Sequence, residues 1–527
     1  MTLRGWSWLF LVLYVGAMLG FGWIASRRVR DADDFATARG AYGPGFLALA
    51  FAASTASGAT FLGSPGLGYK FGVASMWSKF LYPVGVYIGV LISIRLVASA
   101  GNSFGNRSIP EYLGDRYQSD AIRILVSLFS LVLFFYIAGQ LVSGLVMFKT
   151  MLGLEPFAAL AITTVVLLVY VGLGGAHADI LTDGVQGFMM MVVALVTIAL
   201  FALGAGLEGG LAGLLPRLAE LDLDLTTLLN PSTPLYHSWW SIICVPLACT
   251  PLGMLPHVGN KVWALRDDRD RLRFVKLAFG VGLALGLIGL GGILARAVLG
   301  DELLVAGRSA NEALPQLFIT LFPTWLAALV GVGVLAAIMS TADGLVVSSS
   351  QVIANDLYRR SYVPRFRPDL SQNEVDRRVL LISRVSTAVV LAGCAGLAWL
   401  LMDMNIALLV WVGAGSLMAA FAGPLVLGAL WRGVTRWGAI AGLVVGMGSF
   451  IILHAQLLEP SWFGPASSVV AWLRAEGPNP YSCAALGEIA SVITTWAVSC
   501  ATQPLPSAHV QRLFGPTEAG DRSCVPQ

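Results

Sequence analysis

Apolar stretches long enough to cross a membrane recur along almost the whole chain, and polar residues are gathered into short connections between them. A helix needs about 20 mainly apolar residues to cross about 30 Å of hydrocarbon. Thirteen stretches approach or exceed this length, and we number them segments 1 to 13. They lie near 6–26, 46–69, 74–98, 123–149, 155–174, 178–205, 237–257, 274–299, 322–350, 379–402, 405–430, 437–456 and 485–503. The pattern predicts an all-α polytopic membrane protein with about 13 transmembrane helices.

Composition agrees with this prediction. The 527 residues are 57% hydrophobic and 12% charged, whereas soluble domains usually carry about 25% charged residues. Because little sequence remains for a soluble domain, we expect one transmembrane domain over 1–503 and a tail over 504–527. Segment 1 could instead be a signal peptide, but its apolar core of about twenty residues exceeds the usual 7–15. We therefore keep segment 1 as a helix.

Basic residues predict how the chain is oriented, because cytoplasmic loops are enriched in Lys and Arg. The connections 206–235 and 300–321 hold one arginine each, Arg217 and Arg308. The connections after segments 1, 7 and 9 hold Arg27, Arg28, Arg30, Arg39, Lys261, Arg266, Arg269, Arg271, Arg273, Arg359, Arg360, Arg365, Arg367, Arg377 and Arg378. The connections that follow odd-numbered segments are thus predicted to be cytoplasmic. The N-terminus would then lie on the outer side of the cell membrane and the C-terminus in the cytoplasm. Since this role accounts for the basic runs, we expect no nucleic-acid partner.

Several kinds of chemistry find no support in the sequence. The nucleotide-binding motif "GxxxxGK[ST]" is absent from the sequence, so we do not expect transport to be driven directly by ATP hydrolysis. The six cysteines form neither a disulfide framework nor a Cys/His metal cluster. We therefore expect a transporter rather than an enzyme.

Segment 2 contains the stretch "ASTASGATFLGSPG", residues 53–66, which is rich in residues that weaken a helix. Irregular backbone at membrane depth is tolerated only inside protein or beside a polar cavity. There the freed carbonyls can bind an ion and the half-helix ends can face a substrate. A glycine–proline kink with close helix packing is an equal alternative.

Segment 9 contains "VLAAIMSTADGLVVSSSQVIANDLY". Helical spacing places Ala337, Ser340 and Thr341 on one face, at positions i, i+3 and i+4. Two hydroxyls and a nearby carbonyl suit a hard cation that prefers oxygen ligands. Alternatively, such hydroxyls simply bond the carbonyl one turn back along the helix.

Five stretches in order resemble successive motifs of the sodium:solute symporter family over segments 1 to 12. They are "ASTASGATFLGSPGLGYKFG", "GLGGAHADILTDGVQG", "GMLPHVGNKV", "AAIMSTADG" with "SSSQVIANDLY", and "GPLVLGALWRGVTRWGAIAG". The resemblance implies the leucine-transporter fold, in which two inverted five-helix repeats cross near the midplane. Segment 1 and its inner loop would then occupy 1–43, the repeats 44–205 and 236–430, and two accessory helices 437–503. The broken helices would be segments 2 and 7.

The resemblance also implies ligands for the coupling ion, Na⁺. By motif these are backbone carbonyls in segments 2 and 9 and two hydroxyls in segment 9, from the residues Ala53, Ala56, Ala337, Ser340 and Thr341. Asp183, in "LTDGVQ", matches a family acid linked to sodium release, although an ordinary interfacial carboxylate is an equal alternative. Asp343 has no carboxylate counterpart across the family; we assign it to the same release path, with a place behind the ion ligands as the alternative.

The stretch "SPGLGYKFG" is closest to the pantothenate branch of the family. The proline branch has an acid where this chain has Thr55 and aromatic residues where it has Ala248 and Leu252, which argues against proline. The candidate substrate-binding residues are Thr55, Ser57, Gly58 and Tyr136, and plain packing is an equal alternative for the tyrosine. Lys70 and Lys79 are predicted near the outer face, where lysines more often snorkel to water than bind anions.

The sequence therefore predicts a sodium-coupled symporter that imports a small organic solute, a carboxylate such as pantothenate, by alternating access. A proton-coupled or other-substrate carrier of the same fold, a passive channel and a non-transporting solute sensor remain alternatives. A sensor would normally need a signalling domain, and the tail after residue 503 is too short for one.

Overall fold

The computed structural model describes residues 1–27, 37–171, 176–267 and 269–514. Over these residues the chain is 82% helical and has no strands, with one isolated parallel bridge between Tyr42 and Leu265. The predicted all-α class is confirmed. The predictions for Arg28 and Arg30, for the whole of "GLGG" at 172–175 and for most of the tail lie outside the described residues.

Every predicted segment falls on helical structure. The bounds of the long helices of segments 1, 3, 6, 10, 12 and 13 are Leu3–Ser26, Met76–Phe104, Ala176–Leu203, Gln372–Leu400, Arg436–His454 and Pro480–Cys500. Segments 4, 8, 9 and 11 contain local 3₁₀ or π turns, and their main helices are Phe134–Leu152, Asp270–Gly286, Thr324–Gln351 and Ile406–Phe421. Segments 2 and 5 contain shorter apolar helices, Pro44–Thr55 and Pro156–Val171. Within the described chain, ten helices are long and apolar enough to span a membrane, or eleven with the bent pair in segment 7.

Segment 2 is broken where its weak helix formers lie. Its first helix ends at Thr55, and Ala56 has extended backbone with φ −99° and ψ 96°. Helical structure then resumes as a π turn over Ala59–Gly63 and continues in the helix Ser64–Phe71. At Gly58 there is no room for a side chain, because a Cβ there would lie 2.2 Å from the Ser143 Oγ. The break is thus packed tightly against segment 4.

Segment 7 is the second broken segment. Its first helix, Trp239–Ala248, gives way to a 3₁₀ turn over Leu252–Met254, and helical structure resumes at Pro256. The two halves are bent by 53°. Leu255, just before Pro256, is extended with ψ 153°, as expected for a residue that precedes a proline.

The first half of segment 2 packs against segments 6, 8 and 9. Small residues allow this close approach, since Ala50, Ala52 and Ala53 are completely buried. Segments 9 and 11 are the most enclosed of the long helices, with 83% and 89% of their apolar windows buried, against 28% for segments 1 and 10. The break in segment 2 therefore lies in the centre of the protein, next to segment 9.

Candidate sodium and solute site

The candidate sodium ligands of segment 9 lie against those of segment 2. The Ser340 Oγ lies 3.2 Å from the Ala53 carbonyl oxygen and 3.2 Å from the Ala337 carbonyl oxygen. The Thr341 Oγ1 is buried and has no hydrogen-bond partner in the described part of the chain. Ala56 is also buried and lies at the break, one turn beyond Ala53. The structure thus brings together Ala53, Ala337 and Ser340 directly, and it buries the other two candidates, Ala56 and Thr341.

This arrangement is suited to a small, hard cation. It offers neutral carbonyl and hydroxyl oxygens and no thiol or imidazole, which is the ligand set that such ions prefer. A buried hydroxyl without a partner is costly by about 1–3 kcal/mol, and a cation between segments 2 and 9 would give the Thr341 oxygen a partner. The residues present therefore fit Na⁺.

The candidate substrate residues divide into two pairs. Ser57 and Tyr136 line a cavity beside the break. The Thr55 hydroxyl instead donates to the Ala52 carbonyl at 3.0 Å, and the Gly58 amide donates to the Gln140 Oε1 at 3.0 Å. Thr55 and Gly58 thus shape the break and its contact with segment 4 rather than line the cavity.

Lys79 occupies a different place from the one predicted. Its side chain is 2% exposed, it lines the cavity, and its Nζ donates to the Ser64 carbonyl at 3.1 Å. The snorkelling interpretation is therefore wrong for Lys79. Lys70, by contrast, is exposed at the end of segment 2.

The two candidate release-path acids belong to a charged cluster. Asp183 is completely buried, and its Oδ2 accepts from the Ser54 hydroxyl at 2.8 Å and from the Lys261 Nζ at 2.7 Å. Lys261 also donates to the Asp179 Oδ2 at 2.6 Å. Carboxylate oxygens of Asp179, Asp183 and Asp343 lie within 4.8 Å of one another. Asp183 is thus a buried, paired carboxylate rather than an interfacial one.

Sequence reasoning missed Asp179 and the role of Lys261 in this cluster. Asp179 and Asp183 are at i and i+4 on segment 6, so they share one face, and this spacing was the available signal. For Lys261, the sequence indicates only an orientation signal in the connection after segment 7. Because Ser54 neighbours Ala53 in the chain, the cluster lies next to the candidate sodium ligands.

Two helices broken inside the membrane-spanning core, next to a set of neutral oxygen ligands and a cavity, are the architecture of a secondary transporter. The comparisons define the class further. The model of the sodium:solute symporter family matches residues 35–446. The chain belongs to the sodium:solute symporter family.

Relatives and a solved structure agree with this assignment. The chain is 27% identical over 419 residues to a sodium/pantothenate symporter of Haemophilus influenzae, covering 77% of this chain and 81% of that one. It is 29% identical over 450 residues to a high-affinity proline transporter of Bacillus subtilis, covering 82% and 89%. Its fold is similar to that of a Na⁺-coupled sialic acid symporter, with a TM-score of 0.70, 17% identity and coverage of 95% and 98%.

These comparisons confirm several predictions. The protein is a sodium-coupled solute symporter with the leucine-transporter fold, Na⁺ is its coupling ion, and it is an integral, multi-pass membrane protein. The similar relatives include transporters of pantothenate and of proline.

Proposed function

We propose that this symporter imports a small organic carboxylate, such as pantothenate, by alternating access, with Na⁺ bound by Ala53, Ala56, Ala337, Ser340 and Thr341. The observation that carries the proposal is the Ser340 hydroxyl, which lies 3.2 Å from carbonyl oxygens of both segment 2 and segment 9. Support for the substrate class comes from the "SPGLGYKFG" stretch and from the sodium/pantothenate relative.

The proposed ion ligands come from both proposed repeats, segment 2 from 44–205 and segment 9 from 236–430. A cation that binds both segments favours the conformations in which they lie together, and it loses ligands when they separate. Such a differential affinity is what a ligand needs in order to shift a conformational equilibrium. Sodium binding and the alternation of access are coupled in this way.

In the proposed orientation the N-terminus is outside and the C-terminal tail, 504–527, is cytoplasmic. Lys261 lies at the inner end of segment 7 in this orientation, and so does the charged cluster that it joins. Asp183 and Asp343 then line the route from the sodium site to the cytoplasm. Their negative charge would attract a cation that leaves the neutral oxygen ligands.

Radiotracer uptake into proteoliposomes tests the proposal. We expect pantothenate to accumulate under an inward sodium gradient and to stop accumulating when choline replaces sodium. Accumulation that persists in choline and follows a proton gradient would instead identify a proton-coupled carrier. Equilibration without accumulation would identify a channel, and sodium-dependent binding without uptake a sensor. L-Proline, included in the same assay, tests the other branch of relatives.

Removing both hydroxyls of the sodium site should weaken sodium binding. In Ser340→Ala/Thr341→Ala, two of the five proposed oxygen ligands are lost while alanine keeps the helix intact. The sodium concentration for half-maximal uptake should rise at least about tenfold, a loss of about 1.4 kcal/mol.

The matched control for that variant is Ser350→Ala in the same helix, because the Ser350 hydroxyl donates to the Val347 carbonyl at 2.9 Å, away from the site. It should keep the wild-type sodium dependence. If the double variant also kept it, the assignment of the sodium site would be wrong.

Alternating access should change the reactivity of the break. In a background without Cys500 and Cys524, Ser57→Cys should react with a membrane-impermeant thiol reagent more slowly when sodium and substrate are both present. The reason is that a closed state buries the cavity that Ser57 lines.

Ser143→Cys supplies the control for accessibility, since Ser143 is completely buried against Gly58 and does not line the cavity. It should stay unreactive throughout. Labelling of Ser57→Cys that ignores both ligands, in protein shown to be active, would exclude the cavity from the transport path.

A further inference from the structure

The cavity beside the break has an unusual electrostatic character. Among its lining residues in the described chain, Lys79 is the only one with a charged side chain, and no carboxylate is present. The other polar atoms come from hydroxyl groups such as those of Ser57, Ser64 and Tyr136. A positive charge in an otherwise neutral cavity favours an anionic solute.

Lys79 is held in this position by its surroundings. Its stem lies over Gly289, where a Cβ would come within 2.3 Å of the Lys79 Cε and 2.4 Å of its Cδ. The absence of a side chain at Gly289 is therefore what makes room for the lysine. At its tip, the Nζ contacts the Ser64 carbonyl oxygen at 3.1 Å.

The ammonium group of Lys79 has hydrogen-bond donors available for a ligand. It carries three donors, of which one has a partner in the Ser64 carbonyl. Over the part of the chain that the structure describes, no acidic side chain forms an ion pair with it. A buried charge is costly unless it is paired and hydrogen-bonded, and a carboxylate bound in the cavity would supply both kinds of interaction.

We propose that Lys79 is the residue that binds the substrate carboxylate and that it selects a small organic anion over a zwitterion or a cation. This inference rests on the proposed function, whose substrate class it explains. A zwitterionic amino acid such as proline would bring its own positive charge into a cavity that offers a lysine and no acid. An anion whose remainder is neutral meets no such conflict.

The other walls of the cavity fit the neutral remainder of such an anion. Trp411 and Tyr481 form an aromatic wall, with ring centroids 4.2 Å apart. Ser57 and Tyr136 can hydrogen-bond to hydroxyl or amide groups. Ser57 also follows the sodium-ligand candidate Ala56, so the anion and the sodium ion would bind close together and attract each other.

Matched pairs of ligands that differ only in charge test the inference. The probes are pantothenate with panthenol, lactate with lactamide, and nicotinate with nicotinamide, together with L-proline. Binding is measured by thermal shift in detergent with and without sodium, and transport by competition in proteoliposomes. The variants are Lys79→Gln and Lys79→Met, and the control is Lys70→Gln, which removes an exposed lysine outside the cavity.

We expect the wild type to bind at least one carboxylate in preference to its neutral partner. Both Lys79 variants should bind that carboxylate at least about tenfold more weakly, the size expected for a lost charge-assisted hydrogen bond. The affinity of both variants for the neutral analogue of that carboxylate should change by less than about threefold. If Lys79 had only a structural role, its loss would weaken the binding of both analogues equally. Stabilisation by sodium alone, if retained, shows that the variants fold, and Lys70→Gln should match the wild type.

Other outcomes overturn the inference. Unchanged carboxylate affinity in a folded Lys79 variant would do so, as would an equal loss for the carboxylate and its neutral partner. A wild type that binds L-proline or a neutral probe but none of the carboxylates, or none of the probes at all, would also overturn it. Sodium-dependent accumulation of a neutral or zwitterionic solute would contradict the role of Lys79 but would still support sodium-coupled transport. Uptake that sodium does not affect would instead contradict the proposed function.

Discussion

Replacing Lys261 with methionine is expected to destabilise the protein by about 3–5 kcal/mol, the usual cost of removing one partner from a buried ion pair. Lys261 contacts Asp183 at 2.7 Å and Asp179 at 2.6 Å, and its side chain is 2% exposed. Asp343 lies in the same cluster. Without the lysine, these carboxylates would face one another with no cation between them, and their repulsion would oppose the close packing of segment 6 against segment 9.

A double-mutant cycle that also includes Asp183→Asn alone measures this effect. The thermal unfolding temperature in detergent should fall markedly in Lys261→Met and recover partly in Lys261→Met/Asp183→Asn, because the second change removes one of the facing charges. Lys276→Met, on the exposed side of segment 8, is the control and should leave the unfolding temperature unchanged. A Lys261→Met protein as stable as the wild type would mean that the pair contributes nothing to stability.

Accumulation of a monoanionic substrate carried with one sodium ion is expected to be limited to about tenfold under a tenfold sodium gradient, whatever the membrane potential. Stronger accumulation would require a second co-transported cation, for which the predicted place is near Thr55, Ser57 and Asp343. Such a gradient supplies about 1.4 kcal/mol, and a potential of 100 mV supplies about 2.3 kcal/mol per charge moved. One sodium ion carried with a neutral solute draws on both, about 3.7 kcal/mol in total, which gives several hundredfold accumulation. One sodium ion carried with a monoanion moves no net charge, so only the chemical gradient acts.

Proteoliposomes with the potential clamped by potassium and valinomycin measure this limit. For pantothenate, the ratio of internal to external substrate should be the same at zero and at 100 mV, with a sodium Hill coefficient near one. Voltage-driven accumulation well above tenfold with a Hill coefficient of one would contradict the expectation, unless a proton is shown to accompany the substrate. The result tests whether one sodium ion accompanies each monoanion.

The transmembrane architecture could be predicted from the sequence because its signals are local. Each segment is recognised by about 20 consecutive, mainly apolar residues. The two breaks are recognised by clusters of Gly, Pro, Ser and Thr within a single segment. The face shared by Ala337, Ser340 and Thr341 follows from helical spacing alone. Resemblance to the family motifs then related that face to the carbonyl of Ala53, which the structure places beside Ser340.

The environments of the charged residues could not be predicted in the same way. The position of Lys79 near the start of segment 3 was compatible with snorkelling to water, and its burial depends on the space left by Gly289 in segment 8. In the sequence, Lys261 is no different from the other basic residues of the predicted cytoplasmic connections. In the structure, Asp179 and Asp183 of segment 6 form ion pairs with it. The cost of burying a charge depends on its partners, and these partners come from other segments.

The sequence by itself determined where the apolar helices lie, where two of them break and which hydroxyls share a face, since these properties depend on neighbouring residues along one helix. Only the tertiary structure decided which side chains line the cavity and which charges are paired. The physical reason is that burial and pairing are properties of the packing between helices, and a membrane-spanning sequence with few charges leaves many packings compatible with the same hydropathy pattern.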